Sequence, residues 1–501
     1  MSTTPPALQR NVISTGVTGL DDIMGGGFTR NRLFLIEGVP GSGKTTLALQ
    51  FLLATAARGE RVLYVTLSES AEELESVAHA HGWSLDAVSV RELAPPEAAL
   101  DPDEQNTMFH PSEIELASTT RLILDDVERL QPTCVVFDSL SELRLLAGSA
   151  LRYRRQILAL KQYFSKRQVT VVLLDDMTAS NHDLQVQSIA HGVIQLEQMN
   201  PEYGAERRRL RVVKYRGVHF RGGYHDYMIR RGGLIVFPRL VAAEHRQATE
   251  RAALSSGLPA LDSLLGGGIQ EGTSTLIVGQ AGTGKSSLAA QFAAAAAQRG
   301  QRATIFMFDE SPDTLLPRCR SLGIDIEGPV ADGRITLRQV DPAELSPGEF
   351  TASIRTAVEQ DDARMIVIDS LNGYLNAMPE ERFLVIQLHE LLMYLGQQGV
   401  ATLLIGAAHG LVGGPIQSAV DASYLADSVL LLRYFETAGS VRQALSVLKK
   451  RAGAHERSIR ELKFESGAIR VGPPLTDFSG ILSGTPIRES RGPAGPGDGI
   501  R

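Results

Sequence analysis

Two stretches of the chain could do phosphate chemistry: Gly38-Val-Pro-Gly-Ser-Gly-Lys-Thr45 and Gly279-Gln-Ala-Gly-Thr-Gly-Lys-Ser286. Both have the spacing GxxxxGK[ST]. Its glycines let backbone N–H groups curl around a polyphosphate, and a following helix adds its positive N-terminal end. The expected nucleotide-binding residues are therefore Gly41, Ser42, Gly43, Lys44, Thr45 and Thr46, with Gly282, Thr283, Gly284, Lys285, Ser286 and Ser287 in the second copy. The lysine reaches the outer phosphates, and the hydroxyl of Thr45 or Ser286 holds Mg2+. Each stretch follows an apolar run, Leu33–Ile36 or Ser274–Val278, and precedes a segment of helical composition. The competing reading is two Gly-rich turns that happen to end in lysine. It has to hold twice, in the same context both times.

Carboxylates at the right places complete the chemistry. Asp138 and Asp369 each end an apolar run, as does an aspartate that organises Mg2+; the alternative is a cap for the next helix. Glu69, and the pair Asp309 and Glu310, end the strand after the P-loop helix. There a carboxylate could orient and deprotonate the attacking water. The alternative is an acidic N-cap of the helix that follows. The first copy keeps one acid where the second keeps two, so the two copies are expected to differ in chemistry. Lys214 and Arg216, and Lys449 and Arg451, lie far from the P-loops in sequence. Such cations can be supplied to phosphate across a subunit boundary, and a solvated basic strand is the other reading.

The elements that must position these residues are themselves duplicated. Leu20-Asp-Asp-Ile-Met-Gly-Gly-Gly-Phe28 recurs as Leu261-Asp-Ser-Leu-Leu-Gly-Gly-Gly-Ile269, and the P-loop lysines share the same offset of 241 residues. Within each copy the order is turn, strand, P-loop, helix, strand, helix, strand ending in Asp, helix, strand. Continuous apolar strands alternating with helices predict an α/β fold, a mainly parallel sheet flanked by helices. Leu151 to Phe164 has helical spacing. Each copy closes with a basic, strand-like segment, Arg207 to Phe237 and Val441 to Val471. The expected domains are 1–240 and 251–478, joined by a linker in Arg239–Glu250 and followed by a C-terminal loop and flexible tail, 479–501. Pro95 to Pro111 reads as a surface loop, and Gly480 to Arg501 as lacking a packed core.

A net charge of −7 weighs against a nucleic-acid-dependent ATPase, the main competing class, and a non-catalytic nucleotide-sensing scaffold is the third. The two cysteines, Cys134 and Cys319, imply neither a disulfide framework nor a zinc site and read as buried thiols. No signal peptide or bilayer-spanning run is evident, so a cytoplasmic protein without membrane association is expected.

With these residues assembled, the chain resembles the KaiC family of circadian clock proteins, double-domain RecA-like ATPases. The likeness runs from about Val12 to Arg488. It takes in the Gly-Gly-Gly turns, both P-loops, both Asp strands, both Lys-x-Arg segments and the closing Ile481-Leu-Ser-Gly-Thr-Pro-Ile-Arg488. The resemblance implies two tandem RecA-like domains in a homohexamer with ATP between subunits, where Lys214, Arg216, Lys449 and Arg451 would touch the neighbour's nucleotide. It also implies ATPase activity in the N-terminal ring, Ser/Thr autophosphorylation in the C-terminal ring, and KaiB-like or signalling protein partners. The family's paired catalytic glutamates fall on Ser68-Glu69 and Asp309-Glu310. Its Ser-Thr acceptor pair falls on Ser423 and Tyr424, with a tyrosine where the threonine would be.

Overall fold

The computed structural model describes residues 11–93, 111–177, 184–201, 204–245, 251–376, 383–407, 424–437, 439–482 and 487–488, with backbone alone at 111–117, 184–185, 376 and 488. Chain contacts divide it into two units, Met1–Arg239 and Leu240–Arg501.

The first unit is built on a nine-stranded sheet. From one edge its strands are Ser89–Glu92, Val62–Thr66, Cys134–Asp138, Thr170–Asp175, Leu33–Gly38, Gly192–Met199, Arg207–Tyr215, His225–Arg230 and Gly233–Phe237. The first six run parallel and the last three antiparallel. The second unit repeats the plan: Ile335–Gln339, Arg302–Met307, Ala363–Asp369, Ala401–Ala407, Ser274–Gly279 and Ser428–Thr437 are parallel. Ser440–Lys450, Arg460–Glu465 and Ala468–Pro474 follow antiparallel.

The apolar runs force this arrangement. Leu33–Gly38 and Cys134–Asp138 are buried at every position, which only a strand covered on both faces can be. Alternate side chains feed two cores. Phe34 and Ile36 pack with Leu47 and Phe51 of the P-loop helix, while Leu33 and Leu35 share a cluster with Phe137, Ile157 and Phe164. The latter two belong to the helix Ala150–Lys166, which buries Tyr153, Ile157, Leu160 and Phe164 at helical spacing; its N-cap Ser149 accepts from Arg152 N–H. Each large side chain buried this way contributes about 1.5–3 kcal/mol.

A half-buried carboxylate fixes the entry to each copy. Asp21 accepts from Ser14 Oγ, Thr15 N and Thr15 Oγ1; 241 residues on, Asp262 accepts from Ser255 Oγ, Ser256 N and Ser256 Oγ.

Several segments differ from the sequence reading. An added strand and helix precede each Asp strand: Ser89–Glu92 with Pro111–Leu130, and Ile335–Gln339 with Pro347–Glu359. Both strands are sheet edges with partly exposed, polar residues, so they lack the apolar run that marks the central strands. Residues 95–110 of the expected surface loop lie outside the described residues, and Pro111 opens a helix. Half of the expected linker is seated on the second unit: Ala242 N–H donates to Glu390, Gln398 donates to His245 O, and the His245 ring meets Tyr394. The tail start expected to lack a core does not. Ile481 is buried beside Phe435 and Ala444, and Phe478–Ser479 pairs with Ile487–Arg488.

Cys134 and Cys319 are free and buried, and burial pushes both thiols up to about 11, which leaves them inert at neutral pH. Among the described residues no helix is long and apolar enough to cross a membrane.

Candidate functional site

Both P-loops sit at the C-terminal ends of central strands and run directly into helices, Lys44–Ala56 and Lys285–Gln298. Gly43 and Gly284 take φ values of 88° and 89°, left-handed geometry that a side chain opposes. The N–H groups of each first helical turn have no intrahelical acceptor and are ready to meet an anion. Thr46 and Ser287, Ser42 and Thr283 are nearly fully buried within this turn. Gly41 and Gly282 also have positive φ.

In the first unit Thr45 Oγ1 donates to Asp138 Oδ2 at 3.0 Å, and Tyr64 OH donates to the same oxygen at 2.5 Å. The peptide bonds after Asp138 and Asp369 are both cis. Burial raises the Asp138 pKa against these hydrogen bonds. Ser286 likewise hydrogen-bonds Asp369, whose pKa burial also raises. A hydroxyl beside a carboxylate is a hard oxygen donor set and suits Mg2+.

Lys44 Nζ lies 2.8 Å from Asp176 and donates to the carbonyls of Gly38 and Val39 at 2.9 and 3.1 Å. Burial acts to raise Asp176, but the hydrogen bond and charge of Lys44, with Ser139 and Ser141, outweigh it and hold its pKa low. Among the described residues Lys285 has no such acid. Its Nζ donates to Gln280 O at 2.8 Å, and burial lowers its pKa with only Asp369 opposing. The register explains the difference: Asp175 is level with Glu37 on the P-loop strand, whereas the corresponding Val278 is level with Gly406.

Glu69 Oε2 is buried and, among the described residues, has no hydrogen-bond partner. Burial raises the Glu69 pKa first, and the charges of Asp138, Glu73 and Asp176 raise it further, against Lys44. The second unit ties its acids down. Asp309 Oδ2 accepts from Ser370 Oγ at 2.5 Å, and Glu310 is held by both terminal nitrogens of Arg318 at 2.5 and 2.8 Å. The position matching Arg318 in the first copy is Val77.

The structure brings Lys44, Thr45, Glu69 and Asp138 together, and Lys285, Ser286, Asp309, Glu310 and Asp369. It does not bring the Lys-x-Arg residues to them. Lys214 pairs in register with Val193, which is level with Leu35 near the start of the P-loop strand. At about 3.3 Å per residue along the strand and about 4.8 Å per strand across, its backbone stands roughly 14 Å from Gly38, where the loop begins. Lys214 Nζ donates to the carbonyls of Gln187 and Ser188, and Arg216 to Ser188 O. Lys449 and Arg451 repeat this with Ala426 O and Tyr424 O. In each copy a β-bulge precedes the lysine, between Val193 and Ile194 or Val429 and Leu430 on the facing strand. Tyr424 is 55% exposed; Ser423 lies outside the described residues.

Sequence reasoning missed Asp176, Arg318 and Tyr64. Asp175-Asp176 closes the run Val169–Leu174 just as Asp138 closes its own strand, and that signal was legible. Arg318 and Tyr64 meet their partners only through the fold.

Fold and site together define a tandem RecA-like α/β protein with two P-loop nucleotide sites. A sequence model of the KaiC ATPase family matches residues 13–241 and 254–476, and the chain belongs to that family. The circadian clock protein KaiC3 of Synechocystis sp. is 25% identical over 483 residues, covering 95% of this chain and 94% of that protein. The circadian clock oscillator protein KaiC of Picosynechococcus sp. is 28% identical over 483 residues, covering 95% and 92%. Its counterpart in Prochlorococcus marinus is 28% identical over 492 residues, 96% of each chain.

Proposed function

We propose that this chain is a homohexameric, Mg2+-dependent ATPase with its principal hydrolytic site in the first unit and Ser/Thr autokinase capacity in the second, acting as a nucleotide-dependent signalling or clock component. The observation that carries the hydrolytic assignment is the buried, unpartnered Glu69 Oε2 in the same charge cluster as Lys44 and Asp138. Glu69 takes a proton from water as the water oxygen bonds to the γ-phosphorus and the bond to ADP breaks. Lys44 moves from Asp176 to the phosphates. Thr45 and Asp138, or Ser286 and Asp369, would hold Mg2+, which when bound neutralises phosphate charge.

Because Lys214 and Arg216 cannot reach their own chain's P-loop, they serve the nucleotide of a neighbouring copy, and Lys449 and Arg451 do the same. In the second unit Asp309 accepts the proton of an acceptor hydroxyl, Ser423 by position, as the γ-phosphoryl group transfers to it. KaiB-like partners follow from the family relationship alone. A cytoplasmic location is part of the same reading.

Native mass and phosphate release, measured together with and without Mg·ATP, test this. A hexamer with steady phosphate release that Glu69→Gln suppresses is expected. A monomer, or turnover unaffected by Glu69→Gln, overturns the reading. Phosphoserine absent from residue 423 after incubation overturns the autokinase part.

A further inference from the structure

The strand Val62–Thr66 of the first unit carries two hydroxyls on one face, Tyr64 and Thr66, two residues apart. Both side chains are fully buried. Each bonds a residue that bears a site carboxylate. Tyr64 OH donates to Asp138 Oδ2 at 2.5 Å. Thr66 Oγ1 donates to Glu69 O at 2.6 Å and accepts from Glu69 N–H at 3.0 Å, so one hydroxyl grips both polar groups of the Glu69 main chain. Neither residue occupies the oxygens that remain for chemistry. Among the described residues Asp138 Oδ1 accepts no hydrogen bond and Glu69 Oε2 has no partner.

The second unit packs the same places without hydroxyls. Thr66 is level with Asp138 and Tyr64 with Val136; Met307 is level with Asp369 and Ile305 with Val367. Ile305 and Met307 join Leu288 and Phe292 of the second P-loop helix in one apolar cluster. Apolar side chains therefore suffice to pack this face, and burying a hydroxyl is unfavourable unless it is hydrogen-bonded. The two units also restrain their acids differently. The second ties down side chains, Asp309 through Ser370 and Glu310 through Arg318. The first ties down the Glu69 main chain and not its carboxylate.

We propose that Tyr64 and Thr66 are positioning residues of the first site: Thr66 holds the base Glu69 through its backbone, and Tyr64 fixes the Asp138 carboxylate that would hold Mg2+. The Thr66 role rests on the hydrolytic reading of Glu69. The Tyr64 role rests on the metal reading of Asp138 and is tested without turnover.

The test for Thr66 is its coupling to Glu69, measured as phosphate release by the assembled full chain carrying Lys285→Ala, which confines turnover to the first site. Thr66→Val keeps the shape and removes the hydroxyl. It should lower kcat about tenfold or more while KM for Mg·ATP changes less than about threefold, and Thr66→Ser should restore most of the loss. In a Glu69→Gln background Thr66→Val should change release less than about twofold, because a residue that acts through the base then has nothing to position. An equal loss in both backgrounds, or no rescue by serine, assigns Thr66 to packing and overturns its role. Release unaffected by Glu69→Gln overturns the hydrolytic reading and takes the Thr66 role with it. Release that needs Glu69 but ignores Thr66→Val overturns the Thr66 role alone. If Thr66→Val does not fold, Thr66→Ala takes its place under the same expectations.

For Tyr64 the readout is binding. Mn2+, standing in for Mg2+, is titrated into the ADP-loaded Lys285→Ala chain, and free Mn2+ is followed by electron paramagnetic resonance. Tyr64→Phe should weaken Mn2+ binding about tenfold, the scale of losing a group that orients a metal ligand, while metal-free ADP affinity stays within about twofold. Unchanged or tighter Mn2+ binding overturns the Tyr64 role.

Discussion

At Glu69 burial and the charges of Asp138, Glu73 and Asp176 all act to hold the proton on, and only Lys44 opposes them. A base must be unprotonated to work, so first-unit turnover falls as pH drops through this raised pKa, at higher pH than for an ordinary glutamate. Glu69→Gln should lower phosphate release about 10²-fold or more. Asp176→Asn removes one of the charges that raise Glu69, so the acid limb of the pH–rate profile should move to lower pH; an unmoved limb would assign it to another group. The second unit poses the complementary experiment. Arg318→Gln releases Glu310 from its two-pronged ion pair. In a Glu69→Gln background, second-unit phosphate release should then rise several-fold, as a steady-state assay would show. The P-loops, Asp138, Asp369 and Glu69 were legible because each ends or follows an apolar run. The restraint on Glu310 was not, because Arg318 is eight residues away and only the turn between strand and helix brings the two together.

Elements show the same division. Continuous apolar runs identified the central parallel strands, since burial on both faces leaves no polar alternation. The edge strands carry Ser89-Val-Arg-Glu92 and similar mixed residues, whose pairing is decided by the neighbouring strand and not by their own pattern. The central strands also carry the stability. Phe34 is fully buried against Phe28, and its ring meets His191 and Tyr215 edge-on. Phe34→Ala should cost the first unit about 3–5 kcal/mol, read as a lowered first transition in thermal unfolding. At Gly284 an added Cβ would come within 2.0 Å of the Phe464 ring at a φ of 89°. Gly284→Ala should therefore abolish nucleotide stabilisation of the second unit as well as destabilise it by more than about 1 kcal/mol.

For the whole molecule, the placement of the Lys-x-Arg segments matters most. They sit at the opposite end of the sheet from the P-loop in both units, so under the proposed reading a lone chain leaves each pocket without them. Lys214→Ala with Arg216→Ala should leave the unfolding temperature of the free chain within about 2 °C. That is the scale of a surface change of half a kcal/mol. The same pair should reduce turnover of the assembled protein at least tenfold; equal turnover would show that the cations serve no neighbour. The duplication itself was visible from one shared offset. Its divergence was visible only in part: one acid against two could be read, but Asp175-Asp176 against Gly406-Ala407 and His191 against Asp427 emerge from the strand registers.

The bulges ahead of Lys214 and Lys449 carry one more consequence. Leu210 and Val212 face the core, and so does Tyr215, although an unbroken strand would put residues 212 and 215 on opposite sides. The extra residue, Val213, 39% exposed, shifts the alternation by one step and so keeps two cations out of the hydrocarbon interior. The same residues in an unbroken strand would turn Lys214 and Arg216, four and six residues after Leu210, inward with it; deleting Val213 leaves Lys214 three residues after Leu210 and still outward. Val213→Thr and removal of Val213 should therefore both keep the cations outside the core, and their melting temperatures should lie close together. Leu448 marks the matching point in the second unit, so in both copies a shorter, regular strand should serve as well as the bulged one.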